Sequence, residues 1–325
     1  VHSSLYNKTR EGFLKKLIEI APKGLTQVHL NNSGAEAVEA AMKFARKFTG
    51  KKGMVAMKGS YHGKSFGALS LTFNPKYRKA FAPLVEKVSF ASFGDMDSLR
   101  SVIDEDTAFI ILEPIQGESG IVVAPDGFLQ EVRKLCDEKG ILLVFDEIQA
   151  GLGRTGRLWA GDHWNTVPDI LCLAKGIAGG VPMGATLVRP DILAAISKGE
   201  HSSTFGGNPI SCAAGIAALT AITEDGLIEN SKKMGEMFKE GLEKLKEKHT
   251  MIREIRGKGL MIGIEMKFEV KDILMGLIEE GVLMLYSGRN ILRILPPLVI
   301  TEADVTKVLG ALDVVITKEE EKKNV

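Results

Sequence analysis

The stretch Ile141-Leu-Leu-Val-Phe-Asp-Glu147 decides the fold. Five consecutive apolar residues closed by two acids read as a strand buried on both faces. Such strands belong to sheets that are parallel and covered by helices on each side. Asp146 then falls at the carboxyl end of the strand, where open α/β sheets bind their ligands. Taken alone, the same aspartate could equally be a helix cap or a solvated loop acid.

Working outward from this run, short aliphatic or β-branched segments alternate with helical stretches of period 3.6. The other strand candidates are Thr26–Leu30, Met54–Met57, Val85–Ala91, Thr107–Pro114, Asp169–Ala174 and Ala185–Val188, with helical patterns at Ala35–Phe48 and Gly127–Glu138 between them. This alternation predicts an α/β fold: a mainly parallel sheet of seven strands flanked by helices. After Asn208 the texture changes. The charged helical stretch Gly226–His249 leads into IREIRGKGLMIGIEM (252–266), one more helix and strand, and Thr301–Lys318. Two domains are therefore expected, a large one over 1–223 and a smaller α+β one over 224–325. The tail Lys318-Glu-Glu-Glu-Lys-Lys reads as a solvated helix end that frays.

Composition narrows the function. The chain has 325 residues, 45% hydrophobic and 26% charged, and 42 basic against 41 acidic side chains leave a formal charge of +1. Without a concentrated basic field, nucleic-acid or membrane binding through bulk charge is not expected. Aromatic residues are only 6%, which disfavours a stacking platform for single-stranded bases. The 35 glycines exceed the usual share without a collagen-like period. Cys136, Cys172 and Cys212 lack metal or redox spacing and read as small buried apolar residues in a reducing, cytoplasmic compartment. The six histidines are scattered, so no metal site is expected. No apolar run reaches the ~18 to 20 residues of a membrane span, and no secretory leader is expected. The chain opens on Val1 rather than methionine, as a fragment or a processed chain does.

Four features can carry chemistry. Asn32-Ser33-Gly34-Ala35-Glu36 combines an S-x-x-E capping box with a glycine at a helix start, an arrangement that can hold a phosphate or simply cap a helix. Asp146 is the second. Third, Gly151-Leu-Gly153-Arg-Thr-Gly156 matches G-x-G-x-x-G, but four residues separate it from the strand acid and no clear helix follows. It is therefore not read as a dinucleotide fingerprint, and NAD binding is not expected. Fourth, Lys175 is the only charge between Asp169 and Arg189. A lysine in such an apolar run is either a snorkelling structural residue or a desolvated amine with a lowered pKa. The second is competent to form a Schiff base with an aldehyde. A phosphate cradle, a buried acid and a neutral-prone lysine are together what pyridoxal phosphate requires.

With these residues in view, the sequence resembles the class III aminotransferases of the ornithine and acetylornithine type, from about Thr26 to about Leu312. The resemblance is carried by NNSGAEAVEAA (31–41), SYHGKSFGALS (60–70), ILEPIQGESG (111–120), VFDEIQAGLGRTG (144–156), DILCLAKGIAGGVPMGA (169–185), STFGGNP (203–209), IRGKGLMIGIE (255–265) and ILRILPPLVI (291–300). It implies a fold-type-I transferase that binds pyridoxal 5'-phosphate, with Lys175 holding the cofactor aldehyde and then shuttling protons. Asp146 would pair with the pyridinium, Gln149 would lie near the ring's 3′-oxygen, and Tyr61 would stack on the ring with His62 beside it. The cradle Ser33-Gly34-Ala35 would offer N–H groups to the phosphate. Thr204 would reach the phosphate of a neighbouring subunit, so a homodimer with shared sites is implied. Arg293 would clamp the α-carboxylate of glutamate or 2-oxoglutarate, and Glu118 would neutralise it when a donor presents an ω-amine. Lys64 and Ser203 would face the substrate.

Two departures concern the donor. Lys64 stands where acetylornithine, ornithine and 4-aminobutyrate members usually carry arginine, while putrescine aminotransferases also have lysine there; a lysine lacks arginine's planar fork. The segment that covers the substrate pocket in family members also does not appear before Val1. The expected reaction moves the ω-amino group of an ornithine-like amino acid, an acylated ornithine or lysine, or a diamine to 2-oxoglutarate. The alternatives are a transaminase specific for putrescine or 4-aminobutyrate, an amino-acid racemase of the same class, or a non-catalytic binding protein.

Overall fold

Alternation within the buried strands sends successive side chains to opposite faces of the sheet, so each strand needs cover on both sides. The structure, a computed structural model, describes residues 5–323; the expectations attached to Val1 and to the last two residues of the chain lie outside them. In chain order the strands are β1 (Gln27–Asn31), β2 (Gly53–Met57), β3 (Val88–Ala91), β4 (Thr107–Leu112), β5 (Ile115–Gln116), β6 (Val122–Val123), β7 (Leu142–Asp146), β8 (Ile170–Leu173) and β9 (Gly184–Val188). They continue with β10 (Ile252–Lys258), β11 (Met261–Met266), β12 (Leu285–Ser287) and β13 (Ile291–Ile294).

The large sheet has seven strands in the order β1-β9-β8-β7-β4-β2-β3. Only β9 runs against the rest: it is antiparallel to both β8 and β1, whereas β8, β7, β4, β2 and β3 are mutually parallel. The link from Ala174 to Met183 is shorter than the dozen or more residues a parallel crossover takes, so the chain returns antiparallel. β4 stops at Leu112 rather than Pro114, since a proline has no N–H for the ladder.

In β7, Leu142 and Val144 face one core with Phe109, Ile111 and helix Gly34–Thr49. Leu143 and Phe145 face the other, with Ile110, Leu112 and helix Phe128–Lys139. The apolar run of the sequence is therefore buried on both sides, as read. A separate core, beginning with Met234 of helix Leu227–Lys248, packs against the four-stranded antiparallel sheet β10-β11-β13-β12. Among the described residues no single helix is long and apolar enough to cross a membrane. All three cysteines are buried and free.

One expectation holds and one changes. Gly151–Gly156 is a loop whose Arg154 carbonyl accepts from Leu260 N, between β10 and β11, at 3.0 Å and from Ser231 Oγ, on helix Leu227–Lys248, at 2.9 Å; it opens no helix, in keeping with its rejection as a fingerprint. The frayed, solvated tail is corrected. Helix Glu302–Lys323 stays docked because Glu320 accepts from His249 Nδ1 at 2.8 Å and from Met251 N at 3.0 Å, and Glu319 is buried.

Buried acids brace the sheet at both ends. Asp169, just before β8, accepts from Leu143 N at 2.7 Å and Arg133 Nη1 at 2.8 Å, and pairs with Arg189 on its other oxygen. Glu147, just after β7, accepts from Ala160 N at 2.6 Å and Gly161 N at 2.8 Å. Removing one partner of a buried ion pair costs about 3–5 kcal/mol. Asp169→Ala is thus expected to lower the thermal midpoint by several degrees while leaving the secondary structure intact, as scanning calorimetry with parallel circular dichroism would register. Burial, against the two N–H bonds, pushes Glu147 up to about 7. The folded chain therefore keeps a proton that the unfolded chain releases above its ordinary pKa of 4.5, so stability falls as pH rises across that window. Denaturant titrations at several pH values should find this fall diminished in Glu147→Gln.

Candidate active site

The carboxyl ends of β2, β4, β7 and β8 open onto one pocket of about 450 Å³, within the range of small-molecule sites. Each end delivers its residues for a local reason. After β2 the chain turns through Gly59 and Gly63, both at positive φ, and presents Tyr61, His62 and Lys64. β4 is followed at once by Glu113, β7 ends at Asp146, and β8 runs into a 3₁₀ turn that starts at Lys175. Lys175 itself holds φ +46°, a strained conformation for a residue with a side chain, of the sort that collects at functional sites.

On the opposite wall helix Gly34–Thr49 begins. Ser33 caps it, accepting from Glu36 N at 3.2 Å, but Glu36 reaches back to Asn32 N at 2.6 Å rather than to Ser33, so the expected capping box is displaced by one residue. Ala37 N is taken by the Ser33 carbonyl. The first-turn N–H groups of Gly34 and Ala35 are left at the positive end of the helix, suited to a phosphate. Gly34 has no room for a side chain, because a Cβ would lie 2.8 Å from Ile148.

Electrostatics divide the charged groups by task. Burial lowers the pKa of Lys175; Asp146, Glu113 and Glu118 oppose that shift, and Arg293 adds to it. The residue as a whole is nonetheless exposed and lines the pocket. Asp146 is buried, with His62 Nδ1 at 2.8 Å from Oδ2 and Ile148 N donating to Oδ1 at 3.1 Å. Burial raises the Tyr61 hydroxyl, helped by Glu118 and Tyr77. The Tyr61 ring meets Tyr77 edge-on at 6.0 Å, and Lys64 Nζ stands 4.8 Å from the centre of the Tyr77 ring.

Glu118 lines the pocket and accepts from Arg293 Nη1 at 2.7 Å. Arg293, on β13, is buried behind it and also donates to the Gly117 carbonyl at 3.2 Å. Among the residues singled out from the sequence, the pocket therefore gathers Ser33, Gly34, Ala35, Tyr61, His62, Lys64, Glu118, Asp146, Gln149 and Lys175. Arg293 stands one layer back. Ser203 lies outside, donated to by Asn32 Nδ2 at 3.1 Å, and Thr204 is exposed on the neighbouring loop.

Glu113 is the residue that sequence reasoning missed. It accepts from Tyr61 N and Gly117 N, both at 3.0 Å, and burial, with Asp146 adding and His62 opposing, raises it to about 7. The signal that singled out Asp146 was present here too, since Glu113 closes the apolar run Ala108–Leu112.

The pocket fits pyridoxal phosphate on its own observations. It has an anion cradle, a buried carboxylate for a ring nitrogen and a desolvated lysine for an aldehyde. Two of its lining side chains also carry buried polar atoms without a partner, His62 Nε2 and Gln149 Oε1. Among the described residues no cluster of His, Cys, Asp and Glu could hold a metal ion.

Comparison with known proteins agrees. The family model for aminotransferase class-III matches residues 1–316. An acetylornithine aminotransferase of Methanopyrus kandleri is 43% identical over 94% of this chain and 79% of its own length. A [LysW]-aminoadipate semialdehyde/glutamate semialdehyde transaminase of Sulfurisphaera tokodaii is 42% identical over 99% and 83%. Among solved structures, an ornithine aminotransferase from Toxoplasma gondii superposes with a TM-score of 0.96 at 32% identity, covering 100% of this chain and 80% of that one. With the motifs, the seven-stranded sheet and the lysine pocket in agreement, the chain belongs to the class III, pyridoxal-phosphate-dependent aminotransferases.

Proposed function

We propose that the chain transfers the ω-amino group of an acylated ornithine- or lysine-like amino acid to 2-oxoglutarate, releasing a semialdehyde and glutamate. The observation that carries this reading is the Glu118–Arg293 pair, 2.7 Å long, at the edge of the pocket that holds Lys175. A site serving an ω-amine donor and an α-oxo acid acceptor must meet two substrates of opposite local charge. The names of the Methanopyrus and Sulfurisphaera relatives point to the same donor class.

When bound, the cofactor supplies an aldehyde that takes up the amino group and a ring that stores the electron pair freed at the substrate carbon. The chain supplies the rest. Gly34 and Ala35 N–H groups would hold the phosphate, Asp146 would pair with the ring nitrogen, and Gln149 and Tyr61 would border the ring. Lys175 Nζ, kept toward its neutral form by burial, is the base that removes the proton from the amine-bearing carbon and returns one when the acceptor is aminated. With Glu118 in place Arg293 is neutralised, which suits the ω-amine; with Glu118 withdrawn its fork can clamp a carboxylate bidentately. Lys64 and Ser203 are assigned to the outer substrate region.

A homodimer is part of this proposal. Thr204 is exposed, outside its own chain's pocket, beside Phe205 and Ile210, which are 71% and 76% exposed. It is free to serve a partner's phosphate, and those apolar neighbours suit an interface. We further propose a division into domains at 223/224, supported by the separate core of the small sheet, and a cytoplasmic location, supported by three buried free thiols.

In the Lys175→Ala variant, turnover should drop by about 10³-fold or more, and the visible band of lysine-bound cofactor should vanish. An unchanged spectrum would overturn the assignment. In a donor panel with 2-oxoglutarate, acylated ornithine or lysine should give the highest kcat/KM among ornithine, putrescine and 4-aminobutyrate. Preference for putrescine would instead favour the diamine reading suggested by Lys64. Incubating one enantiomer of an amino acid without oxo acid should leave its configuration unchanged; inversion would identify a racemase.

A further inference from the structure

Glu118 sits on a turn that the small sheet holds by its backbone. Gly117-Glu118-Ser119-Gly120 is closed by Gly120 N donating to the Gly117 carbonyl at 3.3 Å. Three side chains from three strands of the small sheet take the carbonyls of this turn. Arg293 of β13 donates to Gly117 at 3.2 Å, Ser287 of β12 donates to Glu118, and Arg256 of β10 donates through Nε to Gly120 at 2.9 Å. From the large sheet Glu113 accepts from Gly117 N.

The register explains how these side chains meet the turn. Arg256 lies opposite Gly263 and Gly263 lies opposite Arg293, so the three occupy one cross-strand row on one face of the sheet. Gly263 is the gap between two arginines, and the turn sits in it: a Cβ there would lie 2.8 Å from the Gly120 carbonyl oxygen and 3.1 Å from Ile121 Cβ. Arg256 cannot drift, because its Nη1 is held at 2.8 Å by both Glu254 and Glu265. The backbone it restrains is not relaxed. Gly120 has φ +99° and Ile121, a β-branched residue, has φ +59°, a conformation such residues adopt only when their surroundings impose it.

We infer that Arg256 is a positioning residue for the Glu118–Arg293 pair, and that by fixing the Gly120 carbonyl it sets how well the site accepts its ω-amine donor relative to 2-oxoglutarate. The inference rests on the two-substrate reading proposed above. Losing the Arg256 bond lets the turn relax away from β11 and carries Glu118 off Arg293. Arg293 then faces the pocket uncompensated. That state repels an incoming amine and remains fit to bind the carboxylate of an oxo acid.

The test compares holoenzyme variants in the two half-reactions, with acetylated ornithine as donor and 2-oxoglutarate as acceptor. For Arg256→Gln the donor KM should rise about tenfold, the size of one hydrogen bond involving a charged group, while the 2-oxoglutarate KM stays within about twofold. Arg256→Lys, which keeps the charge against Glu254 and Glu265, should restore part of the loss. Amide exchange at Gly117–Ile121 should quicken in Arg256→Gln without a matching change elsewhere in the large sheet. Glu118→Gln is the reference. If it raises the donor KM selectively and Arg256→Gln does not, the positioning role fails and the two-substrate reading stands. If Glu118→Gln itself leaves the donor KM unchanged, the two-substrate reading fails and the inference with it. Equal rises in both KM values for Arg256→Gln would mean general disruption and overturn the inference. Should that variant not fold, Gly263→Ala displaces the turn with Arg256 intact and must produce the same split; equal or absent effects there overturn it.

Discussion

The bond between His62 Nδ1 and Asp146, 2.8 Å long and shut off from water, is the interaction on which the pocket depends. A carboxylate at the end of a strand buried on both faces loses its hydration, and such a group stays charged only where hydrogen bonds replace the water. Asp146 has two, from His62 and from Ile148 N. Its charge is felt by the neighbours: it opposes the lowering of Lys175 and adds to the raising of Glu113 and Cys172. Glu113, by contrast, is held by two backbone amides with burial dominating, and sits near 7. Two acids at the ends of adjacent strands thereby take different places: Asp146 faces the site, and Glu113 braces the Tyr61 and Gly117 backbones.

What could be read in advance follows from how local each determinant is. The two-faced burial of β7 was legible because it needs only one uninterrupted apolar run. Lys175 was legible because charge is so rare around it. The reversal of β9 depends on the length of a connection whose course the sequence leaves open, and only the assembled sheet displays it. Glu113 was passed over although it satisfies the same rule as Asp146, and the proline after it marks where β4 must stop. The tail was misread for a different reason. Its charges look solvated in isolation, but Glu320 finds His249 and Met251, 71 and 69 residues earlier in the chain, a pairing no local pattern encodes. Ser203, expected to face the substrate, and Thr204, expected to reach a neighbouring subunit, both lie outside this chain's pocket; under the proposed dimer Thr204 would act in a second chain's site.

The glycines illustrate the same division between local and assembled causes. Gly50 ends its helix at φ +69°, a cap that a sequence pattern anticipates. Gly184 has no such local reason. A Cβ there would lie 2.4 Å from the Ser33 carbonyl, so the reversed strand β9 can press against the helix cap and fix the phosphate cradle relative to the sheet. The one strand that departs from the parallel pattern is therefore also the strand that seats the helix start proposed to hold the phosphate.

The small sheet has a corresponding part on the other side of the pocket. Besides Met261, which β11 places in the core of the large sheet, three polar side chains of the small sheet spend their hydrogen bonds on the carbonyls of one turn in the segment after β4. Backbone carbonyls are a durable handle, because they are present whatever the side chain and their direction is set by the chain itself. Holding Glu118 by its backbone leaves its carboxylate free to change partners, as the proposed two-substrate reading requires. Under that reading the pocket is neutral for one substrate and cationic for the next, which calls for a rigid frame around a mobile charge, and the row Arg256–Gly263–Arg293 is the frame we propose.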